Sequence, residues 1–434
     1  MSKFTIITNS ELLINRILSL FVSLLSVPIL INNCGIDTYG IFILITSISM
    51  FLTISDFGIG NGIVNSLAGA IAQSNKNKVN VLLTSVLAFS IFNAALVIVV
   101  IYTFIDKFDF NGILNLNLDS GTVDQLIKIA FLGAALSLMG GISRKLLMAS
   151  LKSREFSRLQ FFIVFSTNIG LVFTSTTSSP LPGMLFVSLV LPNIIGIVHL
   201  VIKIGFDSSI RISYHHISYS MIWRLIRDGQ LFFFLQVAAV INFQIYSILI
   251  NYFLNLSQIA EYAVVFKVAS IPFILISSVV FQIWGQTASF LALGKFDFLY
   301  KNLIQNVKTV SLFTSLAMGI FIIFGQSFIK IWTGNQISPS KEIILANAIW
   351  IPISCLMQLL GMFANGARET KFLVLTTFLF TISNLSLAIY FLKFEGNISG
   401  PMWSNSISAL IFFMLPAFLL IKRYKSKSED TDVA

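Results

Sequence analysis

The chain has 434 residues, of which 56% are hydrophobic and only 11% charged, with a formal net charge of +10. Soluble domains average roughly 25% charged residues, so this chain lacks the polar surface to cover a water-soluble globule. Its basic residues sit in short loops between apolar runs, which argues against nucleic acid as a partner and for a role in fixing membrane orientation.

Crossing the hydrocarbon takes about 20 residues at about 1.5 Å each. Apolar runs of that kind fall at 12–32, 40–66, 80–105, 125–148, 159–176, 184–204, 229–253, 261–284, 309–332, 344–364, 372–392 and 402–422. This predicts an all-α integral membrane protein with about twelve transmembrane helices. The first run follows a single lysine, Lys3, and has no small-residue cleavage site after it, so a retained helix is expected rather than a cleaved signal. Pro180 and Pro182 mark a tight turn between the fifth and sixth runs. Between the sixth and seventh, the segment 206–228 sets Ile217, Met221, Ile222, Leu225 and Ile226 at helical spacing among Arg224, Arg227 and Asp228. That pattern suits either a short interfacial helix or a plain basic linker.

With the N-terminus inside, the inner loops hold Lys76 and Lys78; Arg144, Lys145, Lys152, Arg154 and Arg158; Lys203, Arg211, Arg224 and Arg227; and the trend continues to Lys422, Arg423 and Lys425. The outer loops hold only Lys107, Lys128, Lys330, Lys341 and Lys393. The bias, roughly four to one, places both termini in the cytoplasm and supports an even number of spans. Ile29-Leu30-Ile31-Asn32 ends the first run and Ile248-Leu249-Ile250-Asn251 the seventh, close to half a chain apart. The expected organisation is therefore two parallel six-helix repeats, 1–205 and 229–434, joined by 206–228.

Polar stripes mark four of the spans. Arg16 heads a face with Ser19, Ser23 and Ser26. Thr46, Ser49, Thr53 and Asp56 share a stripe on the second span, and Gln236, Gln244, Ser247 and Asn251 one on the seventh. Lys267 lies on the eighth with Ser270, Ser277 and Ser278. Ionisable groups in hydrocarbon cost energy and usually face a water-filled cavity or a partner. Each stripe has a second reading. Arg16 and Lys267 are near span ends and can snorkel, Asp56 suits a cap or salt bridge, and the serines suit helix packing. The run Asp56-Phe57-Gly58-Ile59-Gly60-Asn61-Gly62 lacks the strand of a dinucleotide fingerprint and the Gly-Lys-Ser/Thr of a phosphate loop, so its glycines point to close helix packing or a bend. Cys34 and Cys355 form no motif, and His199, His215 and His216 have no zinc spacing, so neither a metal nor a cofactor is expected. No ATP-binding motif occurs, and active transport would draw on an ion gradient or on the substrate's own.

Tyr39-Gly40-Ile41-Phe42 followed by Asp56-Phe57-Gly58-Ile59-Gly60 resembles the early signature of bacterial O-antigen and capsule repeat-unit flippases (Wzx-type polysaccharide exporters), within the multidrug/oligosaccharidyl-lipid/polysaccharide superfamily. Ala260-Glu261-Tyr262 resembles their second-half counterpart and Ile331-Trp332-Thr333-Gly334 the end of their ninth helix. The chain departs from the pattern at Tyr262-Ala263, where the family often keeps a glycine. The resemblance implies a MATE-like fold, two six-helix bundles around a central cavity, in the bacterial inner membrane. It also implies the substrate, an undecaprenyl-diphosphate-linked oligosaccharide flipped by alternating access, with a polysaccharide polymerase and a chain-length regulator as further partners.

On that reading Arg16, Lys267, Ser19, Ser23, Gln236 and Gln244 contact substrate, since buried cations offset a diphosphate and amides and hydroxyls pair with sugars. Asp56 and Glu261 are the candidates for ion coupling. A cation-coupled drug exporter of the same superfamily is the nearest alternative, and it would need a buried carboxylate in the cavity. A membrane polymerase or glycosyltransferase would need a larger loop than the sequence holds, so a non-enzyme is expected.

Overall fold

The computed structural model describes residues 3–116, 118–206, 210–367 and 369–432, and every regular element among them is helical. Among the described residues eleven helices are long and apolar enough to cross a membrane, or twelve when one bent pair counts as a single span. The expectation of an all-α protein with about twelve spans is met. The chain divides into two compact units, Met1–Tyr252 and Phe253–Ala434.

In the first unit α1 (Lys3–Cys34) and α2 (Ile36–Leu52) are separated by Gly35 alone. Its φ of +84° is open to glycine at little cost, so the chain turns in one residue rather than over the whole gap of 33–39 between the two apolar runs. The second apolar run also breaks earlier than its composition suggests. After α2 the chain tightens into a 3₁₀ turn at Thr53–Asp56 and takes positive φ at Phe57 and Gly58 before α3 (Ile59–Ala72). Next come α4 (Lys76–Phe104), α5 (Ser120–Ala149), α6 (Ser153–Ser175), α7 (Pro180–Phe206) and α8 (Tyr219–Phe253). Side chains set several starts. Asn75 accepts the Lys78 N–H at 2.9 Å and begins α4. Asp119 accepts the Thr122 N–H at 2.8 Å and begins α5, and the two Thr122 donors hold its carboxyl below the usual range.

The segment 217–228 enters α8 directly. Leu225 is 1% exposed and packs with Ile59, Ile63, Leu67, Leu82, Ile142 and Leu200, flanked by Met221, Ile222 and Ile226. Its opposite side presents Tyr219, Trp223 and Arg224. From Met221 onward the 3.6-residue spacing noted in the sequence is thus the inward face of the opening turns of α8, whereas Ile217 lies in extended backbone before the helix.

α1 and α6 run parallel in a fixed register. Asn15 donates to Ser157 at 3.1 Å, Ser26 to Asn168 at 2.6 Å and Asn33 to Ser175 at 2.9 Å, each pair 142 residues apart. Residues 15, 26 and 33 are about three and about two turns apart and share one helix face. At the start of this seam Glu11 meets Arg158 at 2.6 Å and Arg154 at 3.7 Å, and Arg158 holds the Glu11 carboxyl below its usual range. Such bonds in membranes are worth about 0.6 kcal/mol on average, and Ser26 has a fallback acceptor in Ser23 O at 3.0 Å. Asn168→Leu should therefore lower the melting temperature in detergent by only a few degrees, and Ser26→Ala should add little on top of it. Unfolding of Asn168→Leu at ambient temperature would refute this account of the seam.

The second unit holds α9 (Leu256–Ala269), α10 (Ile271–Ala292), α11 (Phe296–Trp332), α12 (Lys341–Gly366), α13 (Thr370–Phe394) and α14 (Gly400–Ser426). The eighth span is bent by 48° between α9 and α10. Pro272 has no N–H to continue the helix, and the Ser270 hydroxyl donates to the Lys267 carbonyl at 3.1 Å. Asn384 and Ser404, both buried, bond at 2.8 Å between α13 and α14. A π turn interrupts α7 at Phe186–Val190 and α14 at Leu410–Met414, in each case just before a Leu-Pro pair, Leu191-Pro192 and Leu415-Pro416. The missing proline N–H leaves a carbonyl one turn earlier, and the wider turn is the local adjustment to it. The sixth and twelfth spans therefore carry the same device about half a chain apart.

Candidate functional site

The first unit contains a cavity of about 360 Å³ at the end where its lysines and arginines gather, within the roughly 300–1,000 Å³ range of small-molecule sites. One wall is a stripe of α5: Ser137, Gly141, Arg144, Lys145 and Met148 recur at helical spacing. Both cations lie close over Gly141. A Cβ added there would sit 3.9 Å from Arg144 Nη2 and 3.9 Å from Lys145 Nζ, so both side chains fold back over the preceding turn.

The other walls come from the 3₁₀ turn after α2 (Thr53 and Asp56), from α6 (Phe156 and Gln160) and from α8 (Gln236). Lys145 Nζ lies 3.4 Å from Asp56 Oδ2, and Asp56 Oδ1 accepts the Gly58 N–H at 2.9 Å. The carboxylate thus ties the basic stripe of α5 to the joint between α2 and α3. That joint is pressed against α8. A Cβ on Gly58 would lie 2.5 Å from Gly229 O, and the Phe57 and Phe233 rings stack at 6.0 Å. Arg144 forms no ion pair among the described residues. Gln236 Oε1 is buried without a hydrogen-bond partner in the cavity wall. The site therefore offers two cations, one carboxylate, two amides and two hydroxyls, a donor set suited to an anion bearing further hydroxyl groups.

Of the residues singled out in the sequence, Gln236, Asp56 and Thr53 of the same stripe line this cavity, and the remaining substrate and coupling candidates are not among its lining residues. Arg16 is exposed on α1. Ser19 Oγ donates to Asn15 O at 2.7 Å, and Ser23 is half-buried with its carbonyl beside Ser26. Gln244 is half-buried on α8 between Phe243 and the buried pair Tyr246 and Ser247, and Ser247 reaches Ser47 at 3.1 Å. Lys267 and Glu261 are half-buried on α9 in the second unit, and the Ser278 side chain lies outside the described residues. Sequence reasoning missed Arg144 and Lys145 as site residues because both, although inside the run 125–148, count among the orienting charges of an inner loop. Their helical spacing with Ser137 and Gly141 was the signal that could have found them.

No protein-family model and no curated protein matches the chain. Among solved structures it is similar to an inward-facing multidrug resistance MATE family transporter of the MOP superfamily, with a TM-score of 0.75 at 12% identity over 94% of this chain and 96% of that one. It is similar also to the lipid II flippase MurJ in an inward closed conformation, with a TM-score of 0.74 at 16% identity over 99% of this chain and 91% of that one. An outward-facing MATE transporter matches with a TM-score of 0.65 at 13% identity, covering 96% of each chain. The fold is that shared by MATE transporters and MurJ.

Proposed function

We propose that the protein is a flippase for a diphosphate-linked lipid oligosaccharide of the undecaprenyl type, acting in O-antigen or capsule synthesis in a bacterial inner membrane with both termini in the cytoplasm. The observation that carries this reading is the Arg144–Lys145 pair in the wall of the α5 cavity. A diphosphate cannot enter a low-dielectric core unpaired, and the Arg144 guanidinium can take two phosphate oxygens at once. Gln236, with a free buried acceptor, and Gln160 supply partners for sugar hydroxyls. MurJ, which shares the fold, is a lipid II flippase, and this supports the substrate class by analogy of fold.

A drug exporter is the second reading, favoured by the presence of Asp56 in the same cavity. Yet Lys145 already neutralises that carboxylate, which leaves a cationic drug facing an excess of positive charge. Reconstituted protein should translocate a diphosphate-linked lipid oligosaccharide across vesicles. Arg144→Gln should slow it by about ten- to a hundredfold, the worth of a hydrogen bond to a charged group. Arg144→Lys should fall between, keeping charge without the bidentate grip. Export of a cationic dye by the wild type, untouched by Arg144→Gln, would replace this reading with the second.

A further inference from the structure

We propose that Asp56 is a specificity-determining residue, a built-in competitor anion that yields Lys145 only to a ligand carrying two or more negative charges. This rests on the reading of Arg144 and Lys145 as phosphate ligands. Three charged side chains line the cavity, and Arg144, Lys145 and Asp56 leave it one positive charge in excess. The cations are not equivalent. Arg144 is open to a ligand, whereas Lys145 is engaged by Asp56 at 3.4 Å. That distance is longer than the roughly 2.7–2.9 Å of a tight charge-assisted bond, so a better acceptor can replace it.

Asp56 itself cannot withdraw far. Its second oxygen is held by the Gly58 N–H at 2.9 Å, and Gly58 is wedged against Gly229. A ligand at Lys145 therefore meets a fixed carboxylate beside the cation. A headgroup with a single negative charge is satisfied at Arg144, and what it would gain from Lys145 is offset by repulsion from Asp56. A diphosphate places one charge on Arg144 and still has a second to pair with Lys145. Ordinary phospholipids carry one charge on a phosphodiester, and they crowd any lateral path into a membrane protein. A lipid joined to its headgroup through a diphosphate carries two. Asp56 rejects the abundant class by repulsion, which is how a site gains selectivity without extra contacts.

The test is a titration of the purified full chain, in a sugar-headed detergent, with P1,P2-dimethyl diphosphate (two charges) and dimethyl phosphate (one). The wild type should prefer the diphosphate. Asp56→Asn keeps an oxygen for the Gly58 N–H and removes only the charge. It should tighten dimethyl phosphate binding by about tenfold or more and narrow the preference, since like-charge juxtaposition is what opposes the monoanion. Lys145→Gln, an independent variant, should weaken diphosphate binding more than dimethyl phosphate binding, since both probes then meet an unpaired Asp56 but only the diphosphate loses a contact. An unaltered preference in folded Asp56→Asn, or equal loss of both probes in Lys145→Gln, overturns the role of Asp56. If Arg144→Gln binds both probes as the wild type does, the phosphate reading itself falls, and Asp56 with it. Weaker binding by Arg144→Gln together with an unchanged preference in Asp56→Asn removes the Asp56 role alone.

Discussion

Gly58→Val should lower stability by roughly 2–5 kcal/mol and sharply reduce the amount of folded protein recovered from membranes. Two costs combine. A Cβ at this position would stand 2.5 Å from Gly229 O and 3.0 Å from Phe233 N, both backbone atoms that cannot swing aside. Overpacking of that kind costs about 1–3 kcal/mol. The φ of +74° adds about 1–2 kcal/mol for an L side chain. The matched control is Gly69→Ala in α3, where an added Cβ meets nothing within 4 Å. That change should stabilise by about 0.5–1 kcal/mol through helix propensity. Thermal melting of both variants in one detergent checks the pair. If Gly58→Val melted with the wild type, the close contact of the α2–α3 joint with α8 would not exist in the folded protein.

Lys145→Met should be the more damaging half of a coupled pair. It leaves the Asp56 carboxylate in the cavity wall without its cation. Breaking a buried pair costs about 3–5 kcal/mol, and the Asp56 and Lys145 side chains are 17% and 25% exposed, so the low end of that range applies. Adding Asp56→Asn to Lys145→Met should restore most of the loss, because no unpaired charge remains. Asp56→Asn alone should cost less, since a lysine stem can carry its ammonium toward water. The four melting curves form a double-mutant cycle. Strictly additive losses would show that the two side chains do not interact.

Most of the architecture could be read from apolar run lengths, because a helix must cross about 30 Å of hydrocarbon with its backbone bonds internal. What run length could not show was where a helix changes character inside an apolar stretch. The break at 56–58 sits within such a stretch, and it depends on one carboxylate capping one glycine N–H. The eighth span likewise bends at Pro272, where hydropathy runs straight through. The site was legible in part for the same reason. Asp56 and Gln236 stood out as polar residues in apolar surroundings. Arg144 and Lys145 did not, because two cations near the end of an apolar run look like orienting charges until the cavity beside that stretch of α5 is seen. Ser26 shows the converse case. Its spacing with Ser19 and Ser23 suggested a wetted face, whereas it bonds Asn168 in the seam between α1 and α6.

The constant offset of 142 residues between α1 and α6 has a consequence for biosynthesis. A ribosome adding about 5–20 residues per second needs roughly 7–30 s to make that interval. For that time α1 is in the bilayer while the helix that completes its bonds has not yet been made. Hydrocarbon offers no water to its polar groups. Two serines of α1 have an interim solution within their own helix, Ser19 to the Asn15 carbonyl at 2.7 Å and Ser26 to the Ser23 carbonyl at 3.0 Å. The side-chain amides of Asn15 and Asn33 wait for Ser157 and Ser175. α1 can therefore enter the membrane early and alone, and the arrival of α6 converts a self-contained helix into half of a registered pair.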